Sequence, residues 1–141
     1  MSSVRPFHEI PGMKLMRVWW GIGIVLVLIV VVVCVVPNNE IPGVFELNDK
    51  LSHLIGYGVL ATYFAGLVPR QRWWKIFVFL LLLGAAIEFA QHAMHVGREG
   101  DARDVIANCM GAAIGLLLAR LGLARWPELA NWLLFRGRTT Q

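Results

Sequence analysis

Long apolar runs alternate with short polar breaks along this chain, and the runs have membrane-spanning length. The first, "VWWGIGIVLVLIVVVVCVV" at 18–36, is stopped by Pro37. A spanning helix needs about 20 predominantly apolar residues, within a range of roughly 17–25. The β-branched residues here would suit a strand in water, but a lone strand in lipid leaves its backbone polar groups unsatisfied. The run therefore predicts a helix. It is too long for a signal-peptide core and no small-x-small cleavage site follows, so it reads as uncleaved. Further spans are predicted at about 51–68, 73–91 and 104–123. The stretch "WPELANWLLF" (Trp126–Phe135) is only about half a span and predicts a short amphipathic helix in the interface.

The expected architecture is all-α: an integral membrane four-helix bundle with a short C-terminal interfacial helix. It divides into an N-terminal segment (1–17), a four-span membrane domain (18–123), and an interfacial helix with its tail (124–141). Composition agrees. The chain is 57% hydrophobic and 16% charged, where a soluble domain carries about 45–50% and 25%. Membrane lipids are thus its expected surroundings.

The net charge of +4 raises the question of nucleic acid, but the basic residues form no patch interleaved with aromatics, and no nucleic-acid partner is expected. Their distribution gives orientation instead. Lys and Arg favour the cytoplasmic side of short loops. With four spans, Arg5, Lys14, Arg17, Arg70, Arg72, Lys75, Arg120, Arg125, Arg136 and Arg138 all fall on one side. The other side has Lys50, Arg98 and Arg103 beside Glu40, Glu46, Asp49, Glu88, Glu99, Asp101 and Asp104. Both termini are expected to be cytoplasmic. Trp19, Trp20, Trp73, Trp74, Trp126 and Trp132 map to the same interface, where the amphipathic indole belongs. Cys34 and Cys109 lie inside apolar runs and give neither a disulfide framework nor metal-ligand spacing.

This topology gathers the polar residues on the outer face. Glu88, roughly a turn inside the outer end of the third run, is the clearest intramembrane charge, and such residues are costly and commonly functional. Helical spacing makes stripes: Asp49, His53 and Tyr57, with Lys50 three before His53; Glu88, Gln91 and His92; and Asp104, Asn108, Gly111 and Gly115. Converging, they would form an outward-opening polar pocket. Simpler roles stand beside that one. Gly111 and Gly115 suit close helix packing, and Asn108 suits an interhelical hydrogen bond. Asp104 suits an N-cap or first-turn acid. Glu88 and His53 could form a buried ion pair that fixes packing. His53, Glu88, His92 and His95 are conceivable zinc or manganese ligands, but no H-E-x-x-H motif is present, and neither metal nor cofactor is expected.

The order D-K-x-x-H with Tyr four on ("DKLSHLIGY", 49–57), E-x-x-Q (Glu88, Gln91), G-R (97–98) and D-x-x-x-N-x-x-G-x-x-x-G (104–115) resembles the VanZ-like family over about residues 48–118. The resemblance implies a small bacterial multi-span protein, some of whose relatives are linked to reduced sensitivity to teicoplanin. Its motif positions here are Asp49, Lys50, His53, Tyr57, Glu88, Gln91, Arg98, Asp104, Asn108, Gly111 and Gly115. Members often carry an aromatic and then Pro-Gly-Arg where this chain reads "HAMHVGR" (92–98), so the proline-set loop shape is not implied here.

The expected function is recognition of the head group of a lipid-linked cell-envelope molecule, a polyprenyl phosphate or glycan precursor, in the bacterial inner membrane. Asp49, Lys50, Tyr57, Gln91, Arg98 and Asn108 are the candidate ligand-binding residues. Lys50 and Arg98 would hold phosphate oxygens. One alternative is a hydrolase or transferase acting on such a lipid with His53, Glu88 and Asp104 as catalytic candidates: His53 as base, and Glu88 as acid because partial burial disfavours its charged form. Another is a structural scaffold. Transport is not expected, because the polar groups stop near the outer face.

Overall fold

The computed structural model describes residues 15–35, 49–94 and 102–135. Among them the chain is all-α, as the hydropathy pattern predicts. The helices are α1 (Met16–Val35), α2 (Asp49–Ala65), α3 (Trp73–Met94), α4 (Ala102–Arg120) and α5 (Trp126–Phe135), with short 3-10 turns at Arg70–Arg72 and Leu123–Arg125. A helix stands at each predicted span to within a few residues. The predicted span at 51–68 starts earlier and ends earlier, because the chain turns after Ala65 toward Pro69. The basic residues Arg5, Lys14, Arg136 and Arg138 lie outside the described residues.

α1 and the segment Arg70–Ala93 are each long and apolar enough to cross a membrane. α4 and the C-terminal helix pass the same measure only together, bent by 72°. The bend sits at Gly122, the one described glycine with positive φ (125°), a conformation that side chains rarely adopt. It folds α5 back so that Trp126 stacks on Tyr63 (centroids 4.6 Å apart) and meets Trp19 edge-on at 5.2 Å.

α2 and α4 make the closest approach in the bundle. A side chain on Gly111 would collide with the Leu54 carbonyl, and one on Gly115 with the Gly58 carbonyl. Glycines let the two backbones touch, which in lipid replaces the hydrophobic drive that lipid tails cannot supply. Thr62 Oγ1 spans the contact, donating to the carbonyls of Gly58 (2.9 Å) and Gly115 (3.0 Å).

The helix ends obey the rule that backbone polar groups in lipid find partners within the protein. Trp73 Nε1 donates to the carbonyls of Ala65 (3.1 Å) and Val68 (3.3 Å) as α2 ends. At the other end of the bundle, Gln91 Nε2 donates to the Cys34 carbonyl (2.6 Å) in the last turn of α1, where intrahelical partners run out. Consecutive helices are therefore antiparallel, and α2 and α4 run parallel, with Trp19, Tyr63, Trp73 and Trp126 at one end and Cys34, His53, Gln91 and Asn108 at the other.

Among the described residues, the interior combines an apolar cluster (Tyr57, Leu60, Ala61, Leu80 and Ala112 among others) with the polar residues His53, Glu88, Gln91, Asp104 and Asn108. Large apolar side chains such as Ile24, Leu28, Leu82, Phe89 and Leu117 point outward. Apolar outside and polar inside is the arrangement that a hydrocarbon solvent selects.

Candidate functional site

The site occupies the end where α1 and α3 finish and α2 and α4 begin. α2 contributes Lys50, His53 and Tyr57, α3 contributes Glu88 and Gln91, and α4 contributes Asp104 and Asn108. On α2 and α4 the paired residues are four apart, one helical turn, so each pair shares a face. His53 and Asn108 are 1% exposed, Gln91 3%, Asp104 4% and Glu88 8%; Tyr57 is fully buried.

His53 is the hub. Its Nδ1 stands 3.0 Å from Asn108 Oδ1. An amide oxygen only accepts, so Nδ1 donates this bond, and Nε2 is the nitrogen left to face the rest of the site. Nε2 in turn faces Asp104 Oδ2 at 4.0 Å. Lys50, its side chain 44% exposed, approaches the other Asp104 oxygen at 3.9 Å and stands where the site meets its surroundings. Donor atoms of His53, Glu88 and Asp104 all lie within 4.8 Å of one another. Asp104 is a first-turn acid of α4, which begins two residues earlier, so it stabilises that end rather than capping it.

The three catalytic candidates thus meet at one point, and Asn108, Lys50 and Tyr57 border them. Gln91 reaches the site but directs its amide N–H to α1. His92 is exposed, away from the buried set. Arg98 and His95 lie outside the described residues, as does the side chain of Asp49, whose backbone opens α2.

Two participants escape a reading by residue type. Cys34 Sγ lies 3.8 Å from His53 Nδ1, and the Cys34 carbonyl holds Gln91, so α1 closes one side of the site. The available signal was its place in the last turn of a span, where carbonyls lack partners. Gly84, one turn before Glu88, is the second. A Cβ there would stand 2.7 Å from Asn108 Nδ2 and 3.3 Å from Tyr57 Oη. A glycine amid "LLLLGAAIE" marks the close approach.

Apolar grooves run beside these helices. One of about 510 Å³ follows α2 and α4 from Leu54, adjacent to His53, past Gly58 and Thr62 to Leu123 and Trp126.

A polar cluster sealed into one end of an apolar-faced helical bundle defines a helical membrane protein whose chemistry is held at one end. The VanZ/LLP1 family model matches residues 2–124, and the chain belongs to that family. No curated protein and no solved structure matches it.

Proposed function

We propose that this chain is a four-span inner-membrane protein with both termini cytoplasmic, and that its outer-face pocket binds the head group of a lipid-linked cell-envelope molecule, a polyprenyl phosphate or glycan carrier. The observation that carries the reading is the burial of His53, Tyr57, Glu88, Gln91, Asp104 and Asn108 together, at one end of a bundle with an apolar exterior. Burying ionisable groups is costly, and apolar residues of similar volume would hold helices together at least as well. Lys50 at the rim suits a phosphate oxygen, with Arg98 as its sequence-level companion. The apolar groove along α2 and α4, lined from Leu54 to Trp126, suits the hydrocarbon tail of the same molecule. The resemblance to proteins linked to reduced teicoplanin sensitivity supports an envelope precursor over bulk phospholipid, and links the chain to glycopeptide response through that ligand.

A second reading, hydrolysis or transfer at the phosphate or glycosyl bond, draws on the meeting of His53, Glu88 and Asp104 within 4.8 Å. His53→Ala then abolishes turnover while ligand still binds.

Native mass spectrometry of protein released from its own membranes tests the binding reading, with Lys50→Ala and Arg98→Ala as comparisons. A co-purifying lipid-linked phosphate or glycan, lost from folded variants, supports it. Bulk phospholipid alone, identical in all three proteins, overturns it in favour of a scaffold.

A further inference from the structure

We infer that His53, Glu88 and Asp104 form a binding site for one divalent transition-metal ion of the zinc or manganese class. The inference goes beyond the head-group reading, since such an ion would reside in the protein with or without a lipid ligand.

Four observations lead there. The first is spacing. A charge-assisted hydrogen bond between an imidazole nitrogen and a carboxylate closes to about 2.7–2.9 Å, yet Nε2 and Asp104 Oδ2 stand 4.0 Å apart. Two donors that share one ion at about 2.0–2.2 Å stand roughly 3–4 Å apart. The full set, within 4.8 Å, needs to contract by less than about an ångström, which is within the reach of small side-chain rotations.

The second is the neighbour of the ring. Metal-bound histidines almost always donate their other N–H to an oxygen that fixes the tautomer and aims the lone pair. Asn108 Oδ1, 3.0 Å from Nδ1, does this and leaves Nε2 facing Asp104.

The third is charge. Two carboxylates more than nine-tenths buried share one small volume with the His53 ring, and the Lys50 ammonium stands 3.9 Å from Asp104 at the half-exposed rim. A divalent ion between them balances both, and a bound cation is the largest local charge in such a site.

The fourth is unused hydrogen-bonding capacity. Tyr57 Oη and Asn108 Nδ2 are buried and have no hydrogen-bond partner among the described residues, although buried polar groups are nearly always satisfied. Both stand beside Gly84, one turn below Glu88. An ion held by three protein ligands keeps open positions for water or phosphate oxygens, which supply acceptors of the kind these donors lack.

One imidazole with two carboxylates is a borderline donor set, suited to Zn²⁺ or Mn²⁺ and too nitrogen-bearing for a dedicated calcium site. The Cys34 thiol lies on the Nδ1 side of the ring, so it is not a ligand. The set also differs from the one that residue types suggest, His53 with Glu88, His92 and His95. Asp104 takes the place of the exposed His92. A His53 bound through Nε2 is a ligand and not a general base, so the metal site and a histidine-base hydrolase assign this ring different work.

The test uses the full chain in detergent micelles, with the affinity tag removed and metal stripped by EDTA. It is titrated with Co²⁺ and then competed with Zn²⁺. The expected result is about one Co²⁺ per chain, with visible d–d bands that Zn²⁺ abolishes. Asn108→Ala, which keeps all three ligands, weakens affinity about 10–100-fold by releasing the ring. Asp104→Asn and Glu88→Gln weaken it at least as much, and His92→Ala leaves it unchanged. Wild-type protein that binds no Co²⁺ overturns the inference, whatever becomes of the variants' folding. So does binding that His92→Ala removes. Because no lipid enters the experiment, its failure leaves the head-group reading standing, and the loss of that reading leaves this one standing.

Discussion

His53 shows how much of the site rests on single atoms. Its ring is buried, held at Nδ1 by Asn108 and faced at Nε2 by Asp104, with Cys34 alongside. Interhelical hydrogen bonds in membranes average only about 0.6 kcal/mol, so the bond itself contributes little. Removing the acceptor is the larger effect, because a buried N–H left without a partner costs about 1–3 kcal/mol. Asn108→Ala is therefore expected to lower the thermal unfolding midpoint in detergent clearly, beyond what one hydrogen bond would account for. Gly84→Ala acts on the same amide from the other side. Its Cβ would stand 2.7 Å from Asn108 Nδ2, and the amide cannot swing away without giving up His53. We expect about 1–3 kcal/mol of destabilisation by overpacking, read from the same melts. A fully stable Gly84→Ala protein would mean that the amide is not pinned by the ring.

At the scale of elements, the decisive contact is between α2 and α4. His53 and Tyr57 lie on one helix, Asp104 and Asn108 on the other, and the glycines below the site set how close the two helices come. Leu54 and Gly58 oppose Gly111 and Gly115 with backbone carbonyls, which cannot rotate aside as a flexible side chain can. Gly111→Ala and Gly115→Ala are expected to spread the helices and loosen the site above them, with at least about 1–3 kcal/mol lost. Gly21, on α1, has nothing within 4 Å of where a Cβ would stand. Gly21→Ala should be neutral or stabilising by up to about 1 kcal/mol through helix propensity. Thermal unfolding of the three variants side by side checks the contrast. Equal effects would show that close packing of α2 on α4 does not limit stability.

For the whole molecule, the two ends differ in chemistry. One end carries the tryptophans, with Arg70 over Trp73 at 5.9 Å and Lys75 over Trp74 at 5.5 Å. The other holds the buried polar cluster. The basic, tryptophan-rich end is the expected cytoplasmic one. Thiol labelling tests the sidedness. In a background with Cys34 and Cys109 replaced, Arg70→Cys is expected to react with an impermeant maleimide only after cells are opened, and His92→Cys in intact cells. Both positions are exposed. Reaction of Arg70→Cys in intact cells would invert the proposed topology and place the site inside.

The helices, their order and the polar stripes were legible in the residues alone. A 3.6-residue repeat, span-length apolar runs and the oddity of Glu88 in the third of them are local properties, written in consecutive residues. The family was legible too, through motifs spaced along 48–118. Spacing along a chain does not say which stripes meet; the packing of the helices does. It joined His53 to Asn108 across 55 positions and brought Asp104, rather than His92, to Glu88 and His53. It also recruited Cys34 and Gly84, whose residue types announce nothing. The physical reason is that contacts between helices depend on their rotation and depth relative to one another. Those are set by where backbones can touch, at Gly111 and Gly115, and by which polar groups must find partners once water is excluded.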